Sequence, residues 1–270
     1  MTSSKSEKLR KYIKNLDNLA VAFSGGVDST LLAKIAADEL GQDAIAITIS
    51  GPQHSKSEIE EAKEFAKKLG INHRIIEIEK IENEKLIYNT EDRCYICKKD
   101  VFSVIREEAK KYGITNIVDG TNVDDLGDYR PGLKALKELN VISPLKEVGL
   151  TKADIRQISK ELNLLTWNKP AFACLITRIP YGEELTNEKL RLLEEAEEYI
   201  KSLGFNQYRV RYHNGIARIE VLPEDLSKFF DVDMMKKISD KLKSIGFKYV
   251  TLDLEGYRMG KMNDGLDQNE

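Results

Sequence analysis

The chain has 270 residues, 32% of them charged and 41% hydrophobic, which is enough apolar sequence to bury a substantial core and too much chain for one small module. Its 42 Lys and Arg nearly balance 45 Asp and Glu, and a net charge of −3 argues against a surface built for nucleic acid. Apolar runs fall short of the ~18 residues of a membrane span, the N-terminus opens on a charged helical pattern rather than a signal peptide, and three cysteines are an odd, small set for a disulfide framework. The expectation is a protein of a reducing cytoplasm with no membrane partner.

In chain order, strands are expected at Leu19–Phe23, Ala44–Ile49, His73–Ile78 and Asn116–Val118, with a short fifth near Val141–Ile142. Helical stretches separate them. In one, Ile59, Ala62, Phe65, Ala66 and Leu69 recur at three- and four-residue spacing and stack on one face, and Gly70 supplies the stop. Strand–helix alternation predicts an α/β fold, a parallel sheet covered on both faces, with ligands at the carboxyl ends of its strands. Residues 170–182, with two prolines and a glycine around Cys174, break the pattern and read as a functional loop or inter-domain crossing. A helix over Asn187–Leu203 follows, then strands Gln207–Tyr212 and Ile216–Val221, joined at Asn214-Gly215, a strong hairpin signal. Helical sequence over Asp225–Ile245 and a last strand near Tyr249–Leu254 complete a smaller C-terminal α+β domain, with frayed polar residues from about Met259. The domains expected are 1–168, a loop or linker over 169–186, and 187–270 for substrate binding or oligomerisation.

The most informative run is Ser24-Gly25-Gly26-Val27-Asp28-Ser29, between a strand and a helix. The glycines let the backbone turn tightly and approach a ligand. The amides at the helix N-terminus, with the Ser24 and Ser29 hydroxyls, make an anion cradle. The spacing is neither that of a P-loop nor G-x-G-x-x-G. The run resembles the PP-loop of the ATP pyrophosphatases, which hold pyrophosphate in this loop while AMP passes to an acceptor. A second run, Gly120-Thr121-Asn122-Val123-Asp124-Asp125, follows the fourth strand and reaches the same end of the sheet. By the same resemblance it belongs to the ATP site, where Asp124, Asp125 and Asp28 are candidates to hold Mg²⁺. The run also reads as an Asx-rich turn that caps the next helix.

Cys94 and Cys97 form C-x-x-C at a helix start, and Cys174 lies far downstream. A redox dithiol needs only the first pair, and a structural zinc needs a fourth ligand from His54, His73 or His213, all distant in sequence. Three buried, idle thiols are a further reading. Three thiolates also suit a [4Fe–4S] cluster whose fourth iron is open to an exogenous sulfide.

At full length the chain resembles the LarE family, ATP-dependent sulfur transferases that help make the nickel-pincer cofactor of lactate racemase. The resemblance rests on SGGVDS, the run GTNVDDLGDYRPGLKAL, the segment WNKPAFACLITRIPYG and the hairpin RVRYH, and spans about Leu19 to Val221. It implies a PP-loop domain of the adenine nucleotide alpha hydrolase-like kind, ATP and Mg²⁺ as cofactors, and a homo-oligomer. The implied substrate is a nicotinic-acid-derived mononucleotide, with AMP transferred to its carboxylate before sulfur displaces AMP to leave a thiocarboxylate. In some members one cysteine at the Cys174 position gives up its own sulfur. The three-cysteine version is understood to carry sulfide from a donor on a [4Fe–4S] cluster, which implies ligation by Cys94, Cys97 and Cys174 here.

An anionic substrate calls for local cations. Arg209 and Arg211 alternate along one strand and so share a face, and Arg178 and Arg130 flank the specific segments. Each also reads as an ordinary surface arginine. Glu220 is either a metal or arginine partner or a surface glutamate, and Trp167 is expected to pack its loop. The nearest rival is a tRNA thiolation enzyme with the same loop and cluster chemistry, against which the acidic balance and the lack of an added RNA-binding domain argue. Amidating PP-loop synthetases and a non-enzymatic ATP sensor or iron–sulfur carrier rank below it.

Overall fold

The structure, a computed structural model, describes residues 2–127, 131–170, 173–258 and 260–262. Its elements run α1 (Thr2–Lys14), β1 (Leu19–Ala22), α2 (Val27–Leu40), β2 (Ala44–Ser50), α3 (Lys56–Lys68), β3 (His73–Glu77), α4 (Glu84–Ile87), α5 (Arg93–Lys110), β4 (Ile117–Val118), α6 (Gly132–Glu138), α7 (Pro144–Glu147), α8 (Lys152–Glu161), α9 (Asn187–Ser202), β5 (Tyr208–His213), β6 (Ile216–Val221), α10 (Val232–Ile245) and β7 (Tyr249–Leu252). The chain divides into two compact units, one from Met1–Glu79 with Glu91–Ala171, the other from Lys80–Thr90 with Phe172–Glu270.

The first unit is a parallel sheet in the order β3-β2-β1-β4. Period-2 alternation sends its side chains to two cores. Leu19, Val21 and Phe23 enter one with Leu9 and Ile13 of α1, Leu31, Leu32 and Ile35 of α2, and Ile155 and Ile158 of α8. Ala20 of β1 and Ile45, Ile47 and Ile49 of β2 enter the other with Phe102, Ile105 and Ala109 of α5 and Leu136. The sheet is therefore covered on both faces, as the alternation requires. The expected fifth strand is a single parallel bridge between Val118 and Ile142. Gly70 stands past the end of α3 at φ +67°, where it stops the helix.

The second unit is a three-stranded sheet, β5-β6-β7, with β5 and β6 antiparallel and β6 and β7 parallel. Asn214 and Gly215 turn the hairpin at φ +47° and +88°, the two left-handed residues of a type I′ turn. Two expectations need correction. Helical sequence over Asp225–Ile245 is broken: Pro223–Phe230 is a 3₁₀ turn, and Asp231 caps α10 by accepting from the amides of Asp233 and Met234 at 2.8 and 3.1 Å. Nor is the fraying expected from about Met259 seen at Lys261. Met259 and 263–270 lie outside the described residues, but Lys261 is 8% exposed and donates to Asp253 at 2.6 Å and to the Gly256 carbonyl at 3.1 Å.

The linear division into 1–168, 169–186 and 187–270 differs from this grouping. Lys80–Thr90 joins the second unit because fully buried Asn89 donates through Nδ2 to the carbonyls of Ile179 and Pro180 at 3.0 and 2.7 Å, while its own carbonyl accepts from the Gly182 amide. The residues after Cys174 are thus built into that unit.

Candidate functional site

In this strand order the chain leaves β1 toward β2 on one side and returns to β4 on the other. The carboxyl ends of β1 and β4 therefore flank a topological switch point, where ligands of such sheets bind. Ser24–Ser29 leaves β1 there. Gly26 is the N-cap of α2 and brings no side chain of its own, so the amide end of the helix is presented to an anion. Ser24 Oγ and Ser29 Oγ lie 3.1 Å apart, and Ser29 Oγ donates to the Gly26 carbonyl at 3.3 Å. Gly25 sits at φ +68°, and a Cβ there would stand 2.8 Å from the Cβ of Ala62 on α3. Lys169 ties the loop down, donating to the Gly25 carbonyl at 3.2 Å and pairing with Glu61 at 2.9 Å. The cradle fits a pyrophosphate: a closely approachable backbone, two hydroxyls and a helix N-terminus.

The Gly120–Asp125 run, after β4, meets this loop from the other side. A Cβ on Gly120 would lie 3.1 Å from Asp28 Cβ and 3.2 Å from the Ser29 amide. Asn122, 2% exposed, donates through Nδ2 to Asp28 Oδ1 at 3.2 Å, and Lys152 Nζ pairs with Asp28 Oδ2. The Asx-turn reading is realised as well: Asp125 accepts from the Asn122 amide at 2.9 Å, and Asp124 accepts from the Lys152 amide at 2.7 Å, at the start of α8. Asp125 and Asp124 are engaged on the Asn122 and Lys152 amides, while Asp28 is held by Asn122 and the Lys152 ammonium. Thr121 donates to buried Asp119, which also accepts from Ser143 at 2.7 Å and has Lys98 Nζ at 3.9 Å. Sequence reasoning missed Asp119, Lys152 and Lys169. The capping box Thr151–Asp154 was legible as a helix start, but nothing in sequence says that the next side chain reaches Asp28.

Cys94 and Cys97 stand one turn apart at the start of α5, Cys94 exposed and Cys97 half-buried. Gly132 of the RPGLKAL run lets α6 close on this turn; a Cβ there would meet Lys98 Cδ at 2.8 Å and the Cys94 carbonyl at 3.5 Å. Arg130 lies outside the described residues. No group of three or more His, Cys, Asp or Glu side chains is gathered as a metal site among the described residues. Cys94 and Cys97 belong to the first unit and Cys174 to the second. As donors, the two thiols of the C-x-x-C pair have the chemistry and spacing that iron–sulfur clusters use.

In the second unit, half-buried Cys174 is the N-cap of a 3₁₀ turn, Leu175–Arg178. The three arginines expected nearby are not surface residues: Arg178, Arg209 and Arg211 are 2, 4 and 7% exposed. Arg178 grips Glu197 through Nε and Nη2 at 2.8 and 2.9 Å, and Arg211 grips Glu220 the same way at 2.6 and 2.9 Å. Glu220, fully buried, is an arginine partner and not a surface glutamate. Arg209 donates to the Tyr208 carbonyl at 2.5 Å and lies 4.9 Å from the centre of the Tyr257 ring. Burial, then the neighbouring charge of Arg178, lowers its pKa. Among the described residues of this unit, four buried cations (the three arginines and Lys261) stand against three buried carboxylates (Glu197, Glu220 and Asp253), which leaves its interior one charge positive. Trp167, of the first unit, is partly exposed beneath the Lys160 ammonium, 4.9 Å from its ring centre.

Comparison with known proteins agrees with this architecture. The family profile described as NAD synthase matches residues 2–118, the part that carries the cradle. An uncharacterized protein of Synechocystis is 45% identical over 97% of this chain and 98% of its own length. The pyridinium-3,5-bisthiocarboxylic acid mononucleotide synthase of Lactiplantibacillus plantarum is 39% identical over 98% of this chain and 95% of its own. An uncharacterized protein of Methanocaldococcus jannaschii is 38% identical over 93% and 98%. With a PP-loop at the switch point of a parallel sheet and end-to-end similarity to that synthase, the chain belongs to the LarE family of ATP-dependent sulfurtransferases in the PP-loop ATP pyrophosphatase superfamily.

Proposed function

We propose that this enzyme adenylates a carboxylate of a nicotinic-acid-derived pyridinium mononucleotide and converts it to a thiocarboxylate, with sulfur delivered by way of a [4Fe–4S] cluster. The observation that carries the proposal is the end-to-end similarity to a synthase named for a pyridinium bisthiocarboxylic acid mononucleotide. A carboxylate resists displacement because oxide is a prohibitive leaving group. Attack of its oxygen on the α-phosphorus of ATP expels pyrophosphate and leaves a mixed anhydride. Hydrosulfide then adds to the carbonyl carbon, and AMP departs with the former carboxylate oxygen.

In the first half the amides of Gly26 and the first turn of α2, with Ser24, Ser29 and Lys152, receive the pyrophosphate charge as it develops. Asp28, Asp124 and Asp125 are the carboxylates that would hold Mg²⁺, which supplies further charge neutralisation when bound. Gly120, Thr121 and Asn122 shape the opposite wall. In the second half Cys94, Cys97 and Cys174 would ligate the cluster, which when bound offers an iron position open to sulfide from a separate donor. The positive interior around Arg178, Arg209 and Arg211 favours the anionic substrate.

The cluster is tested by anaerobic iron and acid-labile sulfide content, with the visible spectrum, of the wild type and of Cys94→Ala, Cys97→Ala and Cys174→Ala. Roughly four irons in the wild type, lost in each variant, support it. Absence of iron after anaerobic reconstitution refutes it, and a mass loss of one H₂S from Cys174 after turnover would then identify a sacrificial donor.

A further inference from the structure

Two of the three arginines, Arg178 and Arg211, act on the Cys174 turn, and its hydrogen bonds show how. The Cys174 carbonyl accepts three bonds: the Thr177 amide at 3.1 Å, Thr177 Oγ1 at 2.8 Å and Arg178 Nη1 at 3.2 Å. Arg178 Nη1 also reaches the Ala173 carbonyl at 2.7 Å and Thr177 Oγ1 at 2.8 Å, while its other edge is locked on Glu197. Glu197 is in turn fixed to the sheet, its Oε1 accepting from the Val210 amide at 2.9 Å. From β5, Arg211 holds Glu220 with one edge and donates through Nη1 to the Thr177 carbonyl at 3.0 Å. Both edges of the Arg178 guanidinium point at protein, and its 2% exposure leaves a ligand no approach.

We infer that Arg178–Glu197 and Arg211–Glu220 form a double clamp that fixes the backbone on either side of Cys174, so that Arg178 is a positioning residue for the Cys174 thiol and does not bind the substrate anion. The inference rests on the proposed role of Cys174 in sulfur delivery. The physical need is plain. A four-residue 3₁₀ turn has weak internal bonding, and a thiol that is to hold a cluster in place for sulfur delivery has to be fixed to within a fraction of an ångström. A guanidinium anchored on a buried carboxylate supplies the missing restraint, because its planar fork loses little entropy per bond formed.

The test uses the full-length chain and two substitutions that spare the buried charges. Arg178→Lys keeps a cation for Glu197 but cannot span to the 173 and 174 carbonyls, and Thr177→Val removes the hydroxyl's two bonds, to the Cys174 carbonyl and from Arg178, while leaving both carboxylates paired. Hydrogen exchange of the Thr177 and Ile179 amides, both bonded inside the turn, is read against the β5–β6 ladder amides as an internal check on folding. The clamp predicts that turn amides exchange at least tenfold faster in both variants while ladder amides keep their wild-type rates. Where ATP-dependent sulfur transfer is measurable, kcat falls and KM for the mononucleotide holds. Wild-type exchange in the turn, with KM for the mononucleotide raised in Arg178→Lys alone, would overturn the clamp and return Arg178 to the anion site. Loss of ladder protection in Arg178→Lys alone leaves Thr177→Val to decide. The exchange experiment needs no substrate, so its outcome stands apart from whether the proposed reaction is the right one.

Discussion

Gly25 is the residue on which the cradle turns most sharply. It needs its left-handed φ, and it needs the space that Ala62 leaves, since an added Cβ would also lie 3.0 Å from the Ala62 Cα. Gly25→Ala is predicted to cost about 2 kcal/mol or more in unfolding free energy, from the left-handed strain and the overpacking together. Gly41→Ala shares a positive φ but has nothing within 4 Å, so it should cost only about 1 kcal/mol. Urea unfolding of both variants checks the difference; equal costs would mean that α3 yields to the loop. Lys152→Met carries the chemical half of the same claim. It should lower pyrophosphate release by about 10²-fold with an unchanged melting temperature, and an unchanged rate would remove Lys152 from the phosphate site. Why Lys152 escaped sequence reasoning is clear from its place: it is the first residue of α8 by its cap, and only the fold brings α8 beside α2.

The elements were legible where the signal is local. The alternation in Leu19–Ala22 and Ala44–Ser50, the glycine after α3 and the Asn-Gly hairpin each act through their own few residues, and each stands where the chemistry put it. What was not legible needed partners far away in sequence. Residues 80–90 join the second unit through the fully buried Asn89, and Arg178 and Arg211 are buried because Glu197 of α9 and Glu220 of β6 neutralise them. Removing Arg178 outright leaves the buried Glu197 carboxylate without its guanidinium and should destabilise the second unit by ~3–5 kcal/mol, whereas removing Arg211 should cost less, because Arg218 still pairs with Glu220 at 3.2 Å. The tie between α1 and α8 is a gentler case. Hydrogen bonding from Lys5 at 2.6 Å, and to a lesser degree from Thr151, holds the Asp154 carboxyl down to about 2. A depressed carboxyl contributes stability that is full above its unfolded value near 4 and lost as pH falls through about 2. Urea titrations at pH 5, 4, 3 and 2 should show Lys5→Met and wild type converging at the acid end, and a constant gap between them would contradict the pairing.

Across the whole chain three histidines set the response to mild acid, one of them His213, whose pKa is lowered by burial and the nearby Arg218 charge. Burial lowers the pKa of His54 to about 4, and burial with the nearby Arg74 charge lowers that of His73 to about 4. Both stay neutral when folded while the unfolded chain takes up protons below about 6.5. Unfolding free energy is therefore flat above pH 7, falls between pH 6.5 and 4, and flattens again below 4, with a slope of at most about 1.4 kcal/mol per pH unit for each histidine. His73→Gln, which keeps a donor for Thr48, should reduce that slope and leave the part due to His54 and His213; an unaltered slope would show that His73 does not titrate as its burial requires. Composition had already excluded a membrane span, and no helix among the described residues is long and apolar enough to make one. It could not reveal the positive interior of the second unit, because the −3 of the whole chain averages over it.

The central claim is that this enzyme exchanges a carboxylate oxygen of a pyridinium mononucleotide for sulfur at the expense of ATP. The most direct measurement is mass spectrometry of the nucleotide after anaerobic incubation with ATP, Mg²⁺, sulfide and the dicarboxylated pyridinium mononucleotide. The account predicts the mass gain of an oxygen-to-sulfur exchange, with one AMP and one pyrophosphate for each sulfur installed. AMP and pyrophosphate without sulfur in the nucleotide, or sulfur appearing in tRNA instead, would contradict it.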